Sequence, residues 1–265
     1  MILIIRTIDR EAPLDWRKRA RWPKSRDFTP PARNFLGETL ANLERSGAWG
    51  SLGSIVVVDS GSPDPRGHLE RSAPESFPWS IVTLDAPAKE STRTHNQNGA
   101  RAARLAADSG EEWCLVIEDD LDFCDDFAES VMAWLADHAE AGPVCCFGST
   151  WPPVREAELA GGCVADIPVR QFYGAQCLAI HGSQAERLAR YLEAHPTYQW
   201  ETGEVTRCHD LLIARWLESE GVQSVRASAP SFVQHIGRGS TFDNRFFEFP
   251  SWPGREWSYQ GRRAA

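Results

Sequence analysis

The chain has no Cys-x-x-Cys pair and no His/Cys spacing of the kind that holds zinc, although it carries seven cysteines. That argues against a zinc-finger or zinc-ribbon module. Cys145 and Cys146 are adjacent and ill suited to pair with each other, so the reading is free, mostly buried thiols in a reducing compartment. No apolar stretch approaches membrane length. The run at residues 1–5 is too short for a signal peptide or anchor and meets Arg6, so it reads as a first strand, and a soluble, cytoplasmic protein without membrane contact is expected. No glycine-rich basic loop follows that strand, which disfavours a nucleotidyltransferase. Net positive charge is also missing. A formal charge of −9 argues against a generic polyanion binder, though local basic patches can still act. There is no internal repeat and no clean linker, and a single domain over 1–265 is expected.

What the chain does have is a 42% apolar share, enough for a sizeable core, and eleven tryptophans. Strand-like runs at 2–5, 55–58, 79–84 and 114–117 alternate with helical patterns at 33–46, 96–109 and 127–138. Gly110 closes the second of these helices. The order predicts an α/β fold with a mostly parallel central sheet flanked by helices. The second half is less regular, with strands expected near 144–147 and 176–180 and helices near 184–193 and 209–220. Segments 74–88 and 150–170 read as excursions.

The most informative feature is the run Trp113-Cys114-Leu115-Val116-Ile117-Glu118-Asp119-Asp120. A strand that ends in clustered carboxylates delivers hard oxygen ligands to the carboxyl edge of the sheet, where α/β proteins bind ligands. Carboxylates suit Mg²⁺ or Mn²⁺, which suit a diphosphate. Asp120, the last of the three, is the best metal ligand. Asp119 is then free to bond ribose or sugar hydroxyls, and Glu118 faces back into the sheet. Asp59 ends the second strand and either accepts from a uracil or ribose donor or caps the Ser60-Gly61-Ser62 turn. Asn98, at the start of a helix, either contacts a nucleotide or caps the helix. Asp210 opens an apolar helical pattern. It is the candidate general base for an acceptor hydroxyl, with helix capping as the alternative and Glu201 and Glu204 as rivals.

A strand ending in Glu-Asp-Asp, after a second strand ending in Asp, resembles the GT-A glycosyltransferases, whose acidic motif holds a divalent metal on a nucleotide-sugar diphosphate. Residues 33–40, with Glu38-Thr39-Leu40, resemble a helix of the N-acetylglucosaminyltransferase IV family. Gln97-Asn98 and the segment Pro230-Ser231-Phe232-Val233-Gln234-His235-Ile236-Gly237-Arg238-Gly239-Ser240 resemble that family's motifs, in the same order. Asp210-Leu211-Leu212 precedes the last motif by a suitable distance. The acidic string also resembles N-acetylglucosaminyltransferase I. The resemblance implies a GT-A nucleotide-diphospho-sugar transferase fold, with 1–125 as the nucleotide-binding half and 126–265 as the acceptor-binding half. It implies a UDP-linked donor and His235 as a second metal or diphosphate ligand, and an imidazole ligand favours Mn²⁺. Arg10 and His95 occupy places that resemble nucleotide contacts in N-acetylglucosaminyltransferase I. Arg238 could neutralise the leaving diphosphate.

Residues 15–26 hold six cations and two tryptophans between the first strand and first helix. They read as a solvated loop or as an acceptor platform, in which Trp16 and Trp22 stack and Arg19 with its neighbours supplies charge. The acceptor is expected to be a glycan or small molecule. A hydroxylated base in modified DNA is the acceptor-level alternative, and a non-catalytic carbohydrate- or nucleotide-sugar-binding protein is the non-enzyme alternative.

Overall fold

A computed structural model describes residues 1–9, 33–88, 94–138, 142–199, 205–206, 209–236 and 249–259. The central sheet begins with β1 (Ile2–Thr7), flanked on one side by β2 (Ser54–Asp59) and then β3 (Val82–Asp85). On its other side lies β4 (Trp113–Glu118), then β8 (Cys177–His181), β6 (Val144–Cys146), β11 (Ser224–Ser228) and β7 (Val164–Pro168). Strands β1 to β4 run parallel, as do β6 and β11, while β8 and β7 pair antiparallel with their neighbours, and β9 (Tyr198–Gln199) and β10 (Val205–Thr206) pair antiparallel apart from this sheet. The expected mostly parallel sheet is therefore present, with two reversed strands in its second half.

Side chains alternate across a strand, so an all-apolar strand can fill two cores. Ile2 and Ile4 of β1 join one buried cluster with alanines of α3 (His95–Asp108), Leu188 and Leu192 of α6 (Gly182–Ala194), and Leu212 and Trp216 of α7 (His209–Ser219). Leu3 and Ile5 join the other, with Leu36, Leu40 and Leu43 of α1 (Phe35–Arg45) and Val131 and Trp134 of α4 (Phe127–His138). Helices thus cover both faces, and the β1, β2 and β4 ends are left at one open edge.

Two expectations need correction. Residues 79–81 form a 3₁₀ turn and the strand runs over 82–85, displaced by the turn that Pro78 starts. Segment 150–170 holds α5 (Pro152–Leu159) and β7, because prolines at the first helical positions start a helix and do not break it. By the same rule Asp64 caps α2 (Pro65–Ser72), with Pro65 at its first position. Six cysteines among the described residues are free, five of them buried, with Cys124, Cys145 and Cys146 pushed up to about 12 by burial. Among the described residues no helix is long and apolar enough to cross a membrane.

Candidate active site

The carboxyl ends of β1, β2 and β4 gather the acidic residues that the sequence singles out. β4 ends at Glu118, and after the two residues Asp119 and Asp120 the chain enters β5 (Leu121–Phe123), which pairs antiparallel with β12 (Val233–His235), Leu121 opposite His235. That register sets His235 beside Asp120. Nε2 of His235 lies 3.2 Å from Oδ2 of Asp120, and both side chains are buried. The segment of the Glu38-Thr39-Leu40 string braces this ribbon. Buried Thr39 accepts from the Leu121 amide at 3.0 Å, Asn42 donates to the Leu121 carbonyl at 3.2 Å, and Arg33, paired with Glu38, reaches the Ile236 carbonyl at 3.5 Å.

Asp119 points towards β1, where its Oδ2 accepts from Thr7 Oγ1 at 2.6 Å and the Ile8 amide at 3.3 Å. Asp59 is also buried. It accepts from the amides of Gly61 and Ser62, both at 2.7 Å, and from the Ser62 hydroxyl, which in turn accepts from the Asp9 amide at 2.8 Å. Both carboxylates therefore tie strand ends together, and a ligand hydroxyl would compete with those donors. Asn98 donates to the Ser60 hydroxyl from the first turns of α3. Helix capping at α3 falls to Thr94 and Gln97, which form a reciprocal capping box, so Asn98 is not the cap and Gln97 is committed to the helix start.

Asp210 is the second residue of α7. Its Oδ2 accepts from the Gly174 amide at 3.0 Å, across from the loop that leads into β8. Gly174 has φ 126°, a conformation that favours glycine and aims this amide at the carboxylate. Burial raises the Asp210 pKa, against the Arg6 cation and the Gly174 and Ala175 amides, which lower it.

Sequence reasoning passed over the residues at the centre of this arrangement. Arg6, the last residue but one of β1, is almost fully buried. It donates to Glu118 Oε1 at 2.8 Å and to His209 Nε2 at 2.8 Å. His209 Nδ1 lies 2.5 Å from His95 Nε2 and 3.2 Å from Asp210 Oδ1. A cation ending an all-apolar strand was the available signal, since a buried guanidinium needs partners. Glu118 is pushed up to about 7 by burial, helped by the Asp120 and Asp210 carboxylates and opposed by Arg6 and His235. Asp120, His235 and Asp210 thus all lie near enough to Glu118 to act on its charge. His209 is driven well below its ordinary value by burial, then by Arg6 and His95.

Of the expected site residues, Asp59, His95, Asn98, Asp119, Asp120, Asp210 and His235 converge on this edge. Arg10, Trp16, Arg19, Trp22 and Arg238, with the rival bases Glu201 and Glu204, lie outside the described residues.

No protein-family profile and no curated protein matches the chain. Solved glycosyltransferase structures are similar to it in part. A mannosyltransferase from Pyrobaculum calidifontis in complex with GDP-Man and Mn²⁺ superposes with TM-score 0.44 and 19% identity over 71% of this chain and 46% of that one. The galactosyltransferase LgtC, in complex with donor and acceptor sugar analogs, gives 0.47 and 9% over 82% and 70%. S. aureus TarS gives 0.47 and 11% over 86% of this chain, which spans 34% of that protein.

Proposed function

We propose that the chain is a metal-dependent, inverting glycosyltransferase that moves a hexosyl or N-acetylhexosaminyl group from a UDP-linked sugar to an acceptor hydroxyl. The observation that carries this reading is the buried Asp120–His235 pair at the sheet edge. Neighbouring ligand atoms on one octahedral ion sit about 3 Å apart, given bonds of about 2.1 Å. The separation of 3.2 Å between Nε2 and Oδ2 fits that spacing. A mixed carboxylate and imidazole set suits Mn²⁺ better than Mg²⁺. When bound, the ion would neutralise the diphosphate of donor and leaving group.

The chain's own residues supply the rest. Asp210 takes the proton of the acceptor hydroxyl as that oxygen bonds to the anomeric carbon. The bond from that carbon to the diphosphate breaks, and UDP leaves. The raised pKa of Asp210 makes it a better proton acceptor than a solvated carboxylate. Asp59, Asp119 and Asn98 hold the strand ends that shape the donor side, with His95, Arg10 and Arg238 as further donor contacts. Residues 1–125 form the nucleotide half and 126–265 the acceptor half. The resemblance of 33–40, 97–98, 118–120 and 230–240 to the N-acetylglucosaminyltransferase IV family supports the donor class. Among the described residues nothing favours modified DNA as the acceptor. A mere sugar-binding module has no use for both a buried carboxylate raised in pKa and a buried carboxylate–imidazole pair. The test is Asp210→Asn, which should keep UDP-sugar affinity and lose transfer by on the order of 10²- to 10⁴-fold. Equal loss of donor binding would move Asp210 into the donor site and refute its role as base.

A further inference from the structure

The Asp120–His235 pair sits at one end of the β5–β12 ribbon, whose outer edge has no part in the proposed chemistry so far. In an antiparallel ladder bonded and non-bonded pairs alternate, and the amides of a non-bonded pair point away from the partner strand. Across this ribbon the Ile236 amide donates to the Asp120 carbonyl at 2.9 Å, and the Cys124 amide to the Phe232 carbonyl at 3.0 Å. Leu121 and His235, opposite each other between those bonds, are therefore a non-bonded pair with both amides turned outward. On the β5 side Thr39 takes the Leu121 amide. On the β12 side the side chain of Gln234 stands in for a further strand. Its Oε1 accepts from the His235 amide at 3.0 Å and from the Phe249 amide at 2.7 Å, and its Nε2 reaches the Phe249 carbonyl at 3.5 Å. Backbone amides only donate, so these contacts fix which end of the carboxamide is the oxygen. Phe249 is itself anchored. Its buried ring and Val233 close over Gly148, where a Cβ would come within 2.6 Å of both side chains. Further along, Ser251 joins hydroxyls with Ser231 at 2.6 Å, and Arg255 donates to Asp122, opposite Gln234 in β5, at 2.7 Å. Segment 249–255 is thus fastened to both strands, and Gln234 is the fastening beside His235.

We propose that Gln234 is a positioning residue for the Asp120–His235 pair. By holding the amides of His235 and Phe249 on one oxygen, it fixes the backbone from which the imidazole projects and keeps Nε2 at 3.2 Å from Asp120 Oδ2. Nε2 is the ring nitrogen farther from the backbone, so a small tilt at the His235 Cα is magnified there. The effect on metal binding rests on the pair being the metal site, but the tie between the two amides does not.

The test needs no substrate. Amide hydrogen exchange in chelator reads the tie. Exchange should be slow at His235 and Phe249 in the wild type, faster at both in Gln234→Leu, and slow again in Gln234→Glu, whose carboxylate still accepts. Calorimetry with Mn²⁺ reads the consequence. Gln234→Leu should bind Mn²⁺ more weakly by on the order of 10-fold, as loss of a group that orients a ligand does. Gln234→Glu should bind at least as tightly as the wild type. Ser251→Ala loosens the same segment elsewhere. It should lower the urea midpoint and leave Mn²⁺ affinity close to that of the wild type. If Gln234→Leu does not fold, Gln234→Asn, whose shorter carboxamide cannot span both amides, takes its place with the same expectations. Fast exchange at His235 in the wild type overturns the tie. Equal Mn²⁺ affinity in the wild type and Gln234→Leu overturns the positioning role and leaves the metal pair standing. An equal loss of affinity in Ser251→Ala and Gln234→Leu also overturns it, since Gln234 would then be one stabilising contact among several. A wild type that binds no Mn²⁺, with exchange as expected, refutes the metal site and its positioning together and leaves only the tie.

Discussion

Replacing Arg6 by methionine keeps an apolar stem in place and deletes the buried guanidinium. Three contacts go with it: Glu118 and His209, each at 2.8 Å, and the Ala175 carbonyl at 3.5 Å. The cost depends on pH through Glu118, whose folded pKa of about 7 lies above its ordinary 4.5. A carboxyl raised in this way stays protonated longer in the folded state, so stability declines as pH rises from about 4.5 to 7. At pH 6 Glu118 is mostly neutral with or without Arg6, and the variant loses mainly hydrogen bonds, about 1–3 kcal/mol. At pH 8 the wild type holds an ionised, paired Glu118. The variant must bury that charge unpaired or keep the proton above the wild-type pKa, which adds a further loss on the order of 1 kcal/mol. The sum stays at the lower end of the roughly 3–5 kcal/mol expected for breaking a fully buried pair, because the Glu118 side chain is 21% exposed. Urea unfolding in the presence of a chelator, at both pH values, reads the difference. Adding Glu118→Gln to the variant should remove the extra loss at pH 8. An equal loss at both pH values, or no recovery with Gln, would refute this account of the buried pair.

Asp120→Asn and His235→Gln should each weaken Mn²⁺ binding by on the order of 10- to 100-fold by calorimetry, and unchanged affinity in either variant would break up the pair as a metal site. His209, held below its ordinary 6.5, stays neutral in the fold while the unfolded chain gains a proton. Its stabilisation is therefore complete above pH 6.5 and is lost as pH falls below it, by up to about 1.4 kcal/mol per unit. His209→Gln should lack that share of the acid slope, and an identical slope would show that His209 protonates freely. Replacing Arg17, Lys18, Arg19 and Arg21 by Gln should raise acceptor KM and spare donor affinity. No change in acceptor kinetics would make residues 15–26 a solvated loop.

The parallel half of the fold was legible because its strands are unbroken apolar runs that alternate with helical periodicity. β1, β2 and β4 fall within a residue or two of where the pattern puts them. The acidic cluster and His235 were legible as motif residues, and the β5–β12 register explains their meeting. What stayed hidden depended on contacts between distant residues. Arg6 and His209 are 203 positions apart, and nothing local in either segment announces the other. Asp59 takes the second of its two sequence readings, capping the turn at Ser60-Gly61-Ser62, whereas Asp119, read as a sugar or ribose contact, has its Oδ2 engaged by Thr7 and the Ile8 amide, a competition visible only once the strand ends are brought together. α5 was missed because a double proline reads as a break until it lands at a helix start. β7 and β11 are short, and their polar positions alternate with buried ones, which weakens their apolar signature.

The central claim is nucleotide-sugar chemistry at the Asp120–His235 pair. The most direct measurement is nucleoside diphosphate release, by mass spectrometry, from a panel of nucleotide sugars with Mn²⁺ or with chelator. The account predicts UDP release from a UDP-hexose or UDP-N-acetylhexosamine, lost in chelator and nearly abolished in Asp120→Asn. Folded protein that releases nothing from any donor in Mn²⁺, or an Asp120→Asn variant as active as the wild type, would contradict it.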